Sequence, residues 1–154
     1  MKNIKLLAAS VALPLAGAVL ISIITNPSVL YDDIIRPPLS PPSIIFPIVW
    51  TILYTLMGIA LYRVLVSGKS KEEIYDAKRS FSAQLILNYL WVIIFFGFRT
   101  YYAAILCLVL LIIMIYVTYQ KFREIDTLAA TLLIPYLLWC IFALYLNISI
   151  SILN

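Results

Sequence analysis

The chain has 154 residues, of which 64% are hydrophobic and only 12% charged, with mean hydropathy +1.06 and net charge +4. A soluble domain is about half apolar and about a quarter charged, and a chain this short cannot hide so much apolar surface in one core. The composition excludes an ordinary soluble enzyme, a disordered chain and a nucleic-acid binder. Long continuous apolar runs with only four glycines exclude a transmembrane β-barrel. What remains is an all-α polytopic membrane protein. The chain has no histidine, so the commonest general base and metal ligand are missing. Cys107 and Cys140 lie inside apolar runs and read as packing residues; no metal site is expected.

Five apolar segments follow in order: 6–24, 43–66, 80–98, 102–119 and 127–153. Each is near the roughly 20 residues needed to cross a hydrocarbon core, and together they predict one transmembrane domain over 1–154. The first, preceded by Lys2 and Lys5, also fits a cleaved signal peptide, but its apolar run continues to Ile24, which favours a retained span. Its Ala8, Ala12 and Ala16 form a small-residue stripe suited to close helix contact, within the bundle in preference to between protomers. The fifth carries Pro135, which predicts a kink.

The loops set the orientation. Lys2, Lys5, Lys69, Lys71, Lys78, Arg79, Lys121 and Arg123 fall on one side, with Arg63 near the end of span two; the other side holds Arg36 and Arg99. This asymmetry predicts a cytoplasmic N-terminus and an outer C-terminus. The one long outer loop, 25–42, is stiffened by Pro37, Pro38, Pro41 and Pro42. Ser40 is expected to cap span two, with Pro41 at its first helical position. Such a loop suits a lid, and equally a rigid connector.

The span interiors contain no Asp, Glu or Lys, which disfavours ion-coupled transport. Aromatic, amide and hydroxyl groups are what they offer. Trp50, Tyr54, Met57 and Leu61 share one face of span two. Gln84, Asn88, Trp91 and Phe95 share one of span three, and Pro135, Trp139, Ala143 and Leu146 one of span five. Trp50 lies about 10 Å into its span, and counting residues puts Trp91 and Trp139 at similar depth below the outer face. The stripes read either as packing or as the walls of a pocket for a flat apolar ligand. Asn88, a mid-membrane amide, needs a partner such as Gln84, Asn147 or a backbone carbonyl.

Three ordered motifs carry a family resemblance. Span two reads Phe46-x3-Trp50-Thr51-x-Leu53-Tyr54-x-Leu56-Met57-Gly58-x-Ala60. Span three reads Gln84-Leu85-x-Leu87-Asn88-x2-Trp91-x3-Phe95-Phe96. Span five contains Pro135-Tyr136-x2-Trp139-x2-Phe142-Ala143-x2-Leu146-Asn147 and ends in Leu153-Asn154. Together they closely resemble the TspO/MBR family of tryptophan-rich sensory proteins and translocator proteins, or peripheral-type benzodiazepine receptors. The resemblance implies a five-helix membrane protein, commonly a homodimer, with a pocket beneath the first loop. It implies porphyrin-like ligands, protoporphyrin IX above all, and isoquinoline or benzodiazepine-type molecules, bound as ligands rather than cofactors. It also implies light-dependent oxidative degradation of protoporphyrin IX in some bacterial members, through tryptophans matching Trp50 and Trp139. The implied ligand-binding positions are Tyr31, Pro41, Trp50, Tyr54, Asn88, Trp91, Trp139 and Ala143.

The sequence departs from the family pattern at Leu30, Leu39 and Val92, where tryptophan, tryptophan and serine are often found. No basic residue follows Tyr145, so cholesterol binding through the family's C-terminal motif is not expected. The leading expectation is a receptor or scavenger of porphyrin-like ligands in a prokaryotic plasma membrane. The alternatives are an uncoupled transporter of porphyrin or lipid, and a sensor acting through a membrane partner.

Overall fold

A computed structural model describes residues 3–154; Lys2, one of the basic residues counted above, lies outside them. The architecture is α-helical, with α1 (Ile4–Thr25), α2 (Pro27–Asp33), α3 (Ile45–Leu65), α4 (Lys71–Val92), α5 (Tyr101–Ile125), α6 (Thr127–Thr131) and α7 (Ile134–Leu153). Five stretches are long and apolar enough to cross a membrane: α1, α3, α4 with the turn after it, α5, and α6–α7 together. Crossing five times puts the start of α1 and the α3–α4 and α5–α6 connections at one end, the basic end. The 26–44 and 98–100 connections and Asn154 lie at the other, the loop end.

Several boundaries differ from the sequence expectation: α5 continues six residues past 119 to Ile125, and four further differences each have a local cause. The helix of span three starts at Lys71, nine residues before Ser80. A capping box starts it: Glu73 N donates to Ser70 Oγ (3.2 Å) and Ser70 N to Glu73 Oε2 (3.0 Å). Asn3 Oδ1 likewise accepts from Leu6 N (3.0 Å) and starts α1 at Ile4. The outer loop is not wholly irregular. Asn26 ends α1 in the left-handed conformation (φ 46°), and Pro27 opens the short helix α2. Ser40 does not cap span two: its hydroxyl donates to Pro37 O (2.6 Å), and α3 begins at Ile45 without a side-chain cap.

The kink in span five is present. Pro135 sits in the first turn of α7 and cannot donate a backbone hydrogen bond, and the helix breaks at Leu132–Leu133. Asp126 caps the short α6 by accepting from Leu128 N (2.9 Å) and Ala129 N (3.2 Å). It also bonds Arg63 (2.8 Å), tying the ends of α3 and α5 together at the basic end. At the loop end α4 runs into one π-helical turn, Ile93–Gly97, a local widening often found beside functional sites.

Three helix pairs form most of the bundle: α4 along α5, α1 along α3, and α5 along α7. The basic half is filled. Met57, Ala60, Val64, Ala77, Leu108, Phe122 and Ala129 are fully buried, and Phe81 stacks on Phe122 at 5.9 Å. Small residues bring the backbones close. A Cβ on Gly58 would fall 2.6 Å from Ser10 O and also collide with Val11 Cα. This is the tight crossing of α1 on α3. The α1 face that makes it is Ser10, Val11 and Pro14. Ala8, Ala12 and Ala16 are exposed on the opposite face. The alanine stripe therefore does not pack within the bundle, contrary to the preferred reading, because the proline and the flanking residues take that side.

Candidate functional site: an aromatic cavity below α2

Four residues from the α1–α3 crossing toward the loop end, the same two helices separate and a cavity of about 390 Å3 opens. Small-molecule sites have volumes of this order. One wall is α1, through Leu15, Ala18 and Ser22. The opposite wall is aromatic, built from Phe46, Trp50 and Tyr54 of α3 and Tyr89 and Trp91 of α4. Tyr31 of α2 forms part of the roof. No lining side chain carries a charge.

The aromatic wall is continuous. Trp50 stacks on Tyr54 (centroids 5.4 Å, 29°) and lies 6.3 Å from Trp91. Trp91 continues into Phe95 at 5.7 Å and Phe96 at 6.1 Å in the π-helical turn. Tyr31 packs edge-on against Phe46 at 4.6 Å. Offset and edge-on pairs of this kind are each worth about 0.5–1.5 kcal/mol beyond area burial, so the wall is held in shape before any ligand arrives.

Beneath it runs a buried polar chain linking α3, α4 and α7. Tyr54 OH donates a short hydrogen bond to Asn88 Oδ1. Asn88 Nδ2 donates to Tyr136 OH (2.9 Å), which donates to Gln84 Oε1 (2.8 Å). The partners of Asn88 are therefore two tyrosine hydroxyls. Gln84 is reached only through Tyr136, and Asn147 belongs to a different bond: it accepts from Trp91 Nε1 (3.1 Å) and donates to Tyr101 O (3.1 Å). Every link is satisfied, so these amides position the rings above them.

The roof is tied down from α7. Asn154 clamps Ile35 in both directions, accepting from its N (3.0 Å) and donating to its O (2.9 Å). Tyr145 OH donates to Pro38 O (2.7 Å), and Tyr31 OH to Pro41 O (2.8 Å). Of the loop leucines, Leu30 is buried, while Leu39 is exposed and held at φ 69°, a strained conformation for a side chain of this size.

The eight sequence-predicted positions separate into groups. Tyr31, Trp50, Tyr54 and Trp91 line the cavity. Asn88 is buried beneath it, and Pro41 contributes its carbonyl to the roof. Trp139 packs behind the wall, 5.9 Å from Phe46 and 5.4 Å from Phe142, and its buried Nε1 has no hydrogen-bond partner. Ala143 is buried in α7. The α1 wall and Tyr89 did not emerge from the stripes. Tyr89 OH donates to Pro14 O (2.6 Å) and occupies the space left by the missing side chain of Gly17. The signal available was a proline and a glycine three residues apart inside an otherwise uniform apolar span.

A sequence model of the TspO/MBR family matches residues 10–153. The chain is 42% identical to a tryptophan-rich protein TspO of Chlorobaculum tepidum, over 80% of this chain and 78% of that protein. It is 36% identical to a protein of the same name from Archaeoglobus fulgidus, over 99% of each. It is also 36% identical to a translocator protein of Ovis aries, over 76% of this chain and 70% of the relative.

Proposed function

The chain belongs to the TspO/MBR family, and from that premise we propose that it is a membrane receptor or scavenger for flat tetrapyrrole ligands, with metal-free protoporphyrin IX as the reference ligand. The observation that carries this reading is the uncharged, aromatic-walled cavity of about 390 Å3 below α2. A planar macrocycle would lie against Trp50 and Trp91 and face α1, with Tyr31 over its edge. Stacking supplies affinity without needing a charged partner inside the bilayer. With no histidine in the chain, imidazole ligation of a haem iron is impossible, which is why the metal-free ring is preferred. Isoquinoline and benzodiazepine-type molecules suit the same wall for the same reason.

Light-dependent oxidation belongs to the same proposal. The light-excited porphyrin activates dissolved dioxygen, which is the oxidant and takes up the electrons lost by the ring, and Trp50 and Trp139 serve as electron donors or radical sites close to it. Trp50, in the wall, would be the nearer donor, and Trp139 would connect to the cavity through the Phe46 ring. The distribution of Lys and Arg supports a cytoplasmic basic end, and the prokaryotic relatives support a prokaryotic plasma membrane. For a homodimer, the exposed stripe of Ala8, Ala12 and Ala16 is the small-residue face that a second copy could approach closely.

The test is intrinsic tryptophan fluorescence of the detergent-purified protein, titrated with protoporphyrin IX in the dark and then under light. Saturable quenching, weakened in Trp50→Phe, is the expected result; no saturable quenching removes the proposal. Loss of the porphyrin absorption band under light should slow in Trp50→Phe/Trp139→Phe. An unchanged rate in that variant would remove the photochemical part alone.

A further inference from the structure

We infer that Arg36 is a specificity-determining residue at the cavity mouth that selects carboxylate-bearing macrocycles over neutral ones; this rests on the tetrapyrrole reading above. The cavity has no charge of its own, so discrimination between an acid and its ester must come from its rim. Two loop-end cations are available, Arg36 and Arg99. Arg36 has the position: its guanidinium carbon lies 5.0 Å from the centroid of the Tyr31 ring. That ring is buried, lines the cavity and packs on Phe46. Arg36 itself borders an adjoining open depression with Asp32, Ser40 and Ser43, and Ser43 borders the aromatic cavity as well. The charge therefore sits beside the point where a ring held below α2 would project its acidic substituents toward water.

The electrostatics leave that charge available. Among the described residues the ion pairs are Arg63–Asp126, Lys69–Glu73 and Lys121–Asp76, and Arg36 is in none of them. Asp32 lines the same depression but makes no ion pair with it, and Asp32 and Asp33 would repel an anionic ligand that lacked the Arg36 counter-charge. A guanidinium lying near an aromatic face keeps its in-plane N–H donors free, and their fork matches a carboxylate. Arg99 differs on each count. It follows the π-helical turn and borders neither the cavity nor the depression.

The experiment compares protoporphyrin IX with its dimethyl ester, which keeps the ring and neutralises both propionates. Saturable quenching of the tryptophans is read for the unmodified protein, Arg36→Gln, Arg36→Lys and Arg99→Gln in a neutral detergent at low salt. The acid should bind the unmodified protein about fivefold more tightly than the ester, as expected of a partly exposed charge pair. Arg36→Gln should abolish the preference by weakening the acid alone, Arg36→Lys should keep part of it, and Arg99→Gln should keep all of it. Equal binding of acid and ester by the unmodified protein, or an Arg36→Gln that weakens both alike, would overturn the inference while leaving the cavity reading intact. If neither compound binds the unmodified protein saturably, the cavity reading fails and the inference falls with it.

Discussion

The two halves of this bundle are built from the same spanning helices, yet one is filled and the other hollow. Toward the basic end, alanines and Gly58 let the backbones close on each other, and Phe81 stacks on Phe122 inside a core with no exposure at Ala60, Val64 and Ala77. Toward the loop end, Trp50, Tyr54, Tyr89 and Trp91 stand between α1 and α3, and a cavity of about 390 Å3 remains. The polar chain through Tyr54, Asn88, Tyr136 and Gln84 is the floor between them. Close-packed interiors rarely leave a void of that size. A bulky ring braced by its neighbours keeps a space open where small residues would let it collapse.

The contrast between the halves is most sensitive at the crossing itself. Gly58→Leu drives a side chain into the backbone of Ser10 and Val11. It should lower stability by about 3 kcal/mol or prevent folding, read as loss of the thermal transition in detergent. Gly58→Ala, colliding at Cβ alone, should fold with a smaller loss. A Leu variant as stable as the parent would mean that α1 and α3 do not cross at this point.

Next in size is the floor. Asn88→Leu strands the buried hydroxyl of Tyr54 and removes one of the two bonds of Tyr136, which keeps Gln84. It should cost about 1–2 kcal/mol, the lower range reflecting how modest such bonds are inside membranes. Tyr54 should also lose its fixed position against Trp50, so ligand affinity should fall with stability. A stability loss with unchanged affinity would separate the floor from the cavity.

The wall gives a smaller and more local effect. Trp50→Phe and Trp91→Phe should each weaken protoporphyrin binding about threefold to tenfold, the value of one aromatic contact. Trp139→Phe should change dark binding less than either, because Trp139 lies behind Phe46. Equal losses for all three would place Trp139 in contact with the ligand.

The smallest effect belongs to the roof. Asn154→Ala and Tyr145→Phe remove the bonds that hold Ile35 and Pro38 to α7. Hydrogen exchange across residues 27–42 should quicken, and ligand release should accelerate by about twofold to fivefold, with little change in global unfolding. Unaltered exchange would show that the prolines alone hold the loop.

Much of this contrast is legible in the sequence. The five spans follow from uninterrupted apolar length, and the wall residues Trp50, Tyr54 and Trp91 from helical spacing around a tryptophan. The kink follows from Pro135. Other features were hidden because their signals are short or belong to two segments at once. The capping box at Ser70 and Glu73 lies in a charged stretch that hydropathy reads as loop, although a helix extends through it. The orientation of α1 is invisible to an alanine count. Which face packs is decided by Pro14 and by the Gly17 gap that receives Tyr89 from α4, a contact between residues 72 positions apart. Trp139 shares the stripe spacing of the other tryptophans but lies behind Phe46, a ring on a different helix.

The most direct test of the hollow half fills it. Ala18 lines the cavity on α1, and Ala18→Phe places a ring where the ligand would lie, without touching the polar floor or the α1–α3 crossing. Saturable protoporphyrin IX quenching should disappear in this variant while the thermal transition stays within a few degrees of the parent. Undiminished, saturable quenching in a folded Ala18→Phe protein would show that the porphyrin binds elsewhere and that the hollow half is not its site.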